Sequence, residues 1–371
     1  MSSLRVFVSA GEASGEMLAV TLLDAMRARG VALQVDGIGG ERLERAGVNV
    51  IQRNDGWASM GPIDALRKIP RLLAIGTRTA AYLRRTPYDL IVVVDFGAFN
   101  LRVITLARAF GVQTPILYYF PPGAWFDNAR RARSVAAVSD PLTAFAHQRD
   151  FYRSLGLPIG WVGHPLVSTV APRAPRAPAP SDGGTIALLP GSRASELERH
   201  VPRLLDAFVI VRHRRPNANA VISAADAAAA TAIRRELNRR QPMPVTIVES
   251  AAEAFASADA AAVASGTAVL EAALCGVPTI AFYVLSEAQA RIARRVYRRA
   301  WYTLPNLVLS EPAIPELMQD DATPMALAEA LVHALDHPAE QDDAFRRLRE
   351  ALGPPDSLDR CARFALSVAA R

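Results

Sequence analysis

Short apolar runs rich in β-branched residues alternate with stretches in which apolar side chains recur every three to four positions, and the alternation spans most of the chain. Residues 5–9 (RVFVS), 33–38, 90–95 and 116–120 read as strands, with a helical pattern at 17–29 after the first. The strands are apolar without interruption, as strands covered on both faces must be, which predicts mostly parallel sheets with helices on both sides. The pattern stops at 171–184 (APRAPRAPAPSDGG), where Pro172, Pro175, Pro178, Pro180 and a glycine pair exclude helix or central strand. Beyond this linker, stiff and extended in its first part, strands are expected at 185–189, 220–222, 245–248, 260–264 and 279–283. Helices fall between them, at about 214 and before, 252–258 and 266–274. The expected fold is α/β: two Rossmann-like doubly wound domains, 1–170 and 185–345, facing across a cleft, with 346–371 packing back toward the first domain. Ligands of such sheets bind beyond the carboxyl ends of the strands, which places each glycine loop named below at the cleft.

Composition narrows the class. With 371 residues, 51% hydrophobic and 21% charged, the chain is long enough for two globular domains and is not of disordered type. Two cysteines, Cys275 and Cys361, form no CxxC and no disulfide framework, in keeping with a reducing cytoplasm. The start of the chain carries no leader-like pattern, and apolar runs such as 90–94 and 280–285 are far below the roughly 20 residues of a membrane helix. A net charge of +6, carried almost wholly by arginine with Lys68 the only lysine, fits either a compositional bias or attraction to phosphates and anionic membranes. No nucleic-acid module is present. The six histidines have no metal-ligand spacing, so neither metal nor other cofactor is expected; His164, in Gly163-His164-Pro165, lies near the cleft, and the other five read as surface residues.

Four segments carry candidate chemistry. Ala10-Gly11-Glu12-Ala13-Ser14-Gly15-Glu16 follows the first strand; it is either a plain strand-to-helix turn or a ligand loop, its acids suiting sugar hydroxyls better than phosphate. Pro190-Gly191-Ser192-Arg193, with Glu196 beyond it, could cradle a diphosphate through Ser192, backbone N–H groups and the Arg193 fork, or be a capped helix start. Ser265-Gly266-Thr267 repeats the arrangement, and Glu271 on the next helix could take both ribose hydroxyls or stand as a solvated acid. Asp95 closes an apolar strand, where it could act as a general base or cap the following turn. Two basic amphipathic stretches, 65–81 and 288–300 (Arg291, Arg294, Arg295, Arg298 and Arg299), could lie on an anionic bilayer or pack as ordinary helices; Pro70 predicts a break in the first.

Taken together, AGEASGE, SMGPIDAL, VDFGAFN, WVGHPL, LLPGSRASE, ASGTAVLE and YTLPNLV occur in an order and spacing that resembles lipid-A-disaccharide synthases. The resemblance implies a GT-B fold and an inverting, metal-independent transfer. In it 2,3-diacylglucosamine passes from UDP to the 6-hydroxyl of 2,3-diacylglucosamine 1-phosphate on the cytoplasmic face of the membrane. It implies Asp95 as base, with Gly11, Glu12, Ser14, Gly15, Asn100 and His164 on the substrate. Gly191, Ser192, Arg193, Ser265, Gly266, Thr267, Glu271 and Asn306 would hold UDP. Leu66, Lys68, Ile69, Arg71, Leu72 and Leu73 would touch the membrane. The chain departs from the family pattern at Phe120-Pro121-Pro122-Gly123-Ala124-Trp125-Phe126-Asp127, and at Gly97 and Ala98, which stand where the family has proline and a second acid. The departures lie on the acceptor side. They keep two rival readings in view: a UDP-sugar 2-epimerase of the same fold, and a non-catalytic UDP-sugar or lipid-binding relative.

Overall fold

The computed structural model describes residues 3–57, 62–123, 127–174, 177–287, 289–291 and 301–371, with the backbone alone for 62–67. The chain forms two units: residues 1–169 with 352–371, and residues 170–351.

In the first unit a seven-stranded sheet has the order β3-β2-β1-β4-β5-β6-β7. The strands are β1 (Leu4–Ala10), β2 (Leu33–Gly39), β3 (Asn49–Arg53), β4 (Leu90–Val94), β5 (Ile116–Tyr119), β6 (Asp140–Thr143) and β7 (Gly160–Trp161), all paired in parallel. The helices are α1 (Ala13–Ala28), α2 (Glu41–Arg45), α3 (Pro62–Arg85), α4 (Gly97–Ala109), α5 (Ala129–Ala136), α6 (Ala146–Ser154) and α7 (Leu166–Thr169). Three strands, β3, β6 and β7, had no sequence expectation. β3 alternates exposed and half-buried positions at the sheet edge, while β6 and β7 are too short to show a period.

The second unit repeats the plan in six parallel strands ordered β10-β9-β8-β11-β12-β13. They are β8 (Thr185–Leu189), β9 (Asn219–Ser223), β10 (Val245–Val248), β11 (Ala260–Ala264), β12 (Thr279–Tyr283) and β13 (Glu316–Met318). Its helices are α8 (Ala194–Arg214), α9 (Ala227–Leu237), α10 (Ala251–Ser257), α11 (Thr267–Cys275), α12 (Leu304–Leu309), α13 (Pro324–Asp336) and α14 (Asp342–Ala351). The proline-rich segment belongs to this unit and is stitched to it: Arg173 donates to the Ala258 carbonyl at 2.8 Å, and Arg215 to that of Pro180 at 2.7 Å.

The chain returns to the first unit at Leu352, and α15 (Ser357–Ala369) lays Cys361, Ala362, Ala365 and Val368 against Ala19, Leu22 and Leu23 of α1. The second unit's own core joins Leu204, Leu205 and Phe208 of α8 to Leu327 and Leu331 of α13 and to Ile186, Ala262 and Ile280 of the sheet. The break expected at Pro70 is not seen, for α3 runs through it. Proline removes one N–H and crowds the carbonyl four residues back, and here flanking turns packed on α4 through Ile75 and Gly76 hold the helix on either side. No helix among the described residues is long and apolar enough to cross a membrane.

Candidate active site

In each sheet strand order reverses once, between β1 and β4 in the first unit and between β8 and β11 in the second. Neighbouring strands at a reversal send their following helices to opposite faces, so a crevice opens beyond their carboxyl ends. β1 and β4 end level, Ala10 opposite Val94, and β8 ends with Leu189 opposite Val263, one residue before the end of β11. All four loops at these ends belong to the segments singled out from the sequence.

At the first reversal Gly11 follows β1 and Asp95 follows β4. Asp95 and Phe96 both have left-handed backbone, φ 43 and 45°, which costs non-glycine residues free energy and turns the chain sharply into α4. The turn lays the Phe96 ring on Gly11, where a Cβ would come within 2.3 Å of it; Gly11 is therefore required by packing. Phe96 in turn stacks on Trp57 at 5.9 Å. Asp95 keeps an exposed edge, yet the surrounding protein withholds much of its solvent. This desolvation, together with the charge of Glu12 and against an opposing backbone N–H from Phe96, pushes its pKa up to about 6. Glu12 caps α1 by backbone alone, leaving the first-turn N–H groups near Ser14 and Gly15 without a side-chain partner. Gly15 itself has ordinary space around its Cβ position.

Two residues expected to touch substrate are enclosed by the protein. Asn100 is 0% exposed: it accepts from Ser9 Oγ at 2.7 Å and donates to the carbonyls of Val94 and Asp95, each at 2.9 Å. It joins the ends of β1 and β4 and fixes the backbone of Asp95. His164 is 3% exposed; its Nδ1 accepts the Leu166 N–H at 3.2 Å, and its ring lies against Phe120 and Phe145. Burial pushes its pKa down to about 3, so it stays neutral and anchors the turn into α7.

At the second reversal the Pro190–Arg193 loop is filled from within. Glu196 Oε2 accepts the N–H groups of Ser192 and Arg193 at 3.0 and 3.1 Å, and Oε1 accepts Arg193 Nη1 at 3.0 Å and the Tyr283 hydroxyl at 2.7 Å. Burial raises the Glu196 pKa, but the bonds from Tyr283 and from the two N–H groups, with the Arg193 charge, outweigh it and hold the carboxyl below its ordinary value. The expected backbone cradle for a diphosphate is thus corrected: those donors already serve a carboxylate. What the loop offers outward is the Ser192 side chain and the half-buried Arg193 guanidinium. His200, expected at the surface, is fully buried. It donates Nδ1–H to the Pro190 carbonyl at 2.7 Å and accepts the Val284 N–H at Nε2 at 3.1 Å, pinning the loop to β12. Its position four residues after Glu196 on one face of α8 was the available signal.

The β11 loop is open by contrast. Ser265 N–H is tied to the Phe282 carbonyl at 2.9 Å, Gly266 stands at the N-cap without a side-chain cap, and Thr267 and Ala268 begin α11. Its first-turn N–H groups and dipole end have no side-chain cap and could take an anion. Glu271, half-buried, lies one turn further along α11. Asn306, expected at UDP, is 0% exposed and bound to both backbone atoms of Ile314 and to Glu316, each at 2.8–2.9 Å, bracing α12 against β13. In the segment expected at the membrane Ile69 is 44% exposed and Arg71 exposed; Lys68, Leu72 and Leu73 are half-buried, with Leu72 packed on the core. The Leu66 side chain, most of 288–300 and Ala124, Trp125 and Phe126 lie outside the described residues.

Two parallel α/β units, each with two loops at its reversal of strand order, define a protein of GT-B architecture. The chain is similar to Acinetobacter baumannii MurG, at TM-score 0.56 and 16% identity over 99% of this chain and 100% of that one. It is also similar to the UDP-GlcNAc 2-epimerase of Neisseria meningitidis bound to UDP-GlcNAc, at TM-score 0.62 and 10% identity over 99% and 100%. Likeness at such identities concerns the fold alone. The sequence itself matches the family described as lipid-A-disaccharide synthetase over residues 6–360. It is 35% identical to the lipid-A-disaccharide synthase of Pseudomonas aeruginosa (strain UCBPP-PA14) over 357 residues, 94% of each chain. The protein belongs to the lipid-A-disaccharide synthetase family.

Proposed function

We propose that the protein is an inverting hexosyltransferase that moves an acylated glucosamine from UDP to the 6-hydroxyl of a diacylglucosamine 1-phosphate. Asp95 accepts the hydroxyl proton as the oxygen attacks the anomeric carbon. The bond from that carbon to the β-phosphate oxygen breaks, and UDP leaves with the electron pair. A carboxylate with a pKa of about 6 is ionised at neutral pH yet basic enough to take up that proton as it is released. Its placement beside the level ends of β1 and β4, in a chain of this family, is the observation that carries the reading.

In the second unit Arg193, Ser192 and the open start of α11 would stabilise the diphosphate and the charge that develops on it, and Glu271 would take the ribose hydroxyls. Gly11, Glu12 and Ser14 would border the acceptor sugar. Peripheral attachment to the cytoplasmic face of the membrane would run through Lys68, Ile69, Arg71 and their neighbours on α3.

Incubation with UDP-diacylglucosamine and diacylglucosamine 1-phosphate, read by mass, should give the disaccharide 1-phosphate and UDP. Asp95→Asn should lower kcat by about two to four orders of magnitude, the usual worth of a general base, with UDP affinity unchanged. If this variant turns over normally, Asp95 is not the base, and absence of product from the wild type removes the reaction.

A further inference from the structure

The turn that carries Asp95 is fastened at each of residues 95–97. The Asp95 carbonyl accepts from Asn100 Nδ2 at 2.9 Å and from the Tyr118 hydroxyl at 3.1 Å. The Phe96 ring lies on Gly11 and stacks on Trp57. Gly97 is met by Pro122, whose ring would stand 2.3 Å from a Cβ there. Consecutive left-handed residues such as Asp95 and Phe96 persist only where their surroundings over-determine them.

Among these partners Trp57 is costly to the fold. It is 3% exposed, and among the described residues its indole N–H has no hydrogen-bond partner, which is unfavourable in a buried donor. Phenylalanine or leucine would fill a core position without that cost. The chain nevertheless mounts the indole firmly. A turn at Asp55-Gly56, with Gly56 at φ 71°, brings the Trp57 N–H onto the Asn54 carbonyl at 3.0 Å. Asn54 Nδ2 donates in turn to the Ala10 carbonyl at 3.1 Å and to Glu16 Oε1 at 2.7 Å, which ties the turn to the carboxyl end of β1. From this mount the indole stacks on Phe96 at 5.9 Å, planes 28° apart, and meets Phe99 of α4 at 4.7 Å.

We propose that Trp57 is a positioning residue for the base: acting through the Phe96 ring, it keeps the Asp95 turn left-handed and so fixes where the Asp95 carboxyl stands. The inference rests on the reading of Asp95 as base given above. Without the indole, Phe96 is free to leave Gly11 and the strained turn relaxes. A displacement of about 1 Å in a reacting group can cost a hundredfold in rate. Water also gains access to Asp95, whose desolvation is the first cause of its raised pKa. The charged and titratable groups around the turn, Glu12 before α1, Tyr118 of β5 and Arg131 of α5, stay in place.

The test uses the full chain and compares wild type with Trp57→Leu, Trp57→Phe and Tyr88→Leu. Tyr88 is 7% exposed in the same core, just before the amino end of β4, and reports what lost packing alone does. With UDP-diacylglucosamine and diacylglucosamine 1-phosphate, Trp57→Leu should lower kcat about ten- to hundredfold at unchanged donor KM. The acid limb of its kcat/KM profile should move to lower pH. Trp57→Phe keeps an aromatic ring against Phe96 and removes the unpaired N–H, so it should melt close to wild type and recover part of kcat. Tyr88→Leu should melt lower, with kcat and acid limb as in wild type. The assignment is overturned if Trp57→Leu keeps the wild-type kcat, if its acid limb stays in place, or if Tyr88→Leu loses as much. Where Trp57→Leu does not fold, Trp57→Phe decides: a reduced kcat at an unchanged melt supports the assignment, and a wild-type kcat overturns it. Should the wild type give no product, the transfer reading fails on its own account. Carbon NMR titration of the Asp95 carboxyl, its signal assigned with Asp95→Asn, then decides the positioning: the pKa should fall in Trp57→Leu and hold in Tyr88→Leu, and an unchanged value in Trp57→Leu overturns it.

Discussion

Asp95 shows what one residue's surroundings do to its chemistry. Desolvation and the Glu12 charge stabilise its protonated form, and a base works only when ionised. The sign follows directly: activity should be fully present above the raised pKa and fall tenfold per pH unit below about 6. Glu12→Gln removes one of the two causes, so the acid limb of the kcat/KM profile should move to lower pH; a limb that stays in place would assign the shift to desolvation alone. The same scale separates residues that look alike in sequence. Asn100 and Asn306 are polar residues inside family motifs, yet both are fully enclosed and spend their amides on backbone. A motif shows that a residue type is required at a position, and burial shows whether a ligand or the fold requires it.

At the scale of elements, the α8 entrance is the instructive case. A strand, glycine turn and helix with serine and arginine read as a phosphate cradle, but the carboxylate of Glu196 occupies the donors a phosphate would use. The loop is a rigid mount for Arg193, locked by Glu196, Tyr283 and His200. Glu196→Gln should lower stability by about 1–3 kcal/mol, the cost of disturbing a buried charged hydrogen-bond set. Because the folded-state pKa of Glu196 lies below its ordinary value, this contribution is present above the ordinary carboxyl range and is lost as pH falls through the lowered pKa. Thermal melts should therefore separate wild type and variant at neutral pH and bring them together in acid. A constant gap at all pH values would show that the charge is not what stabilises the loop. UDP affinity should fall with the same substitution, as Arg193 loses its mount.

For the whole molecule, α3 is the element proposed to meet the membrane. It is continuous through Pro70, exposes Ile69 and Arg71, and packs Leu72 and Ile75 on the core. One helix can thus be held by the fold on one side and meet an anionic surface on the other. Replacing Lys68 and Arg71 with glutamate should weaken binding to anionic vesicles about thirtyfold at low salt, at roughly 1 kcal/mol for each basic charge lost, and leave neutral vesicles unaffected. Sedimentation equal to wild type would remove this face of α3 from membrane contact. The return of α15 belongs to the same scale: the last helix completes the core of the first unit, so the unit is not contiguous in sequence.

The sequence by itself determined the parallel α/β plan, the repeat of that plan in two units and the four loops at the strand ends. Each rests on local information: continuous apolar strands, glycine turns and the helical period. The pairing of those loops was decided only by tertiary structure, because strand order β3-β2-β1-β4 and β9-β8-β11-β12 is set by packing between distant segments. So was the inward turn of Asn100, His164, Glu196, His200 and Asn306, since burial belongs to the neighbours that surround a residue. Short strands stayed hidden for a related reason. β6 and β7, at four and two residues, are held by the sheet they join and carry too few positions to state a period of their own.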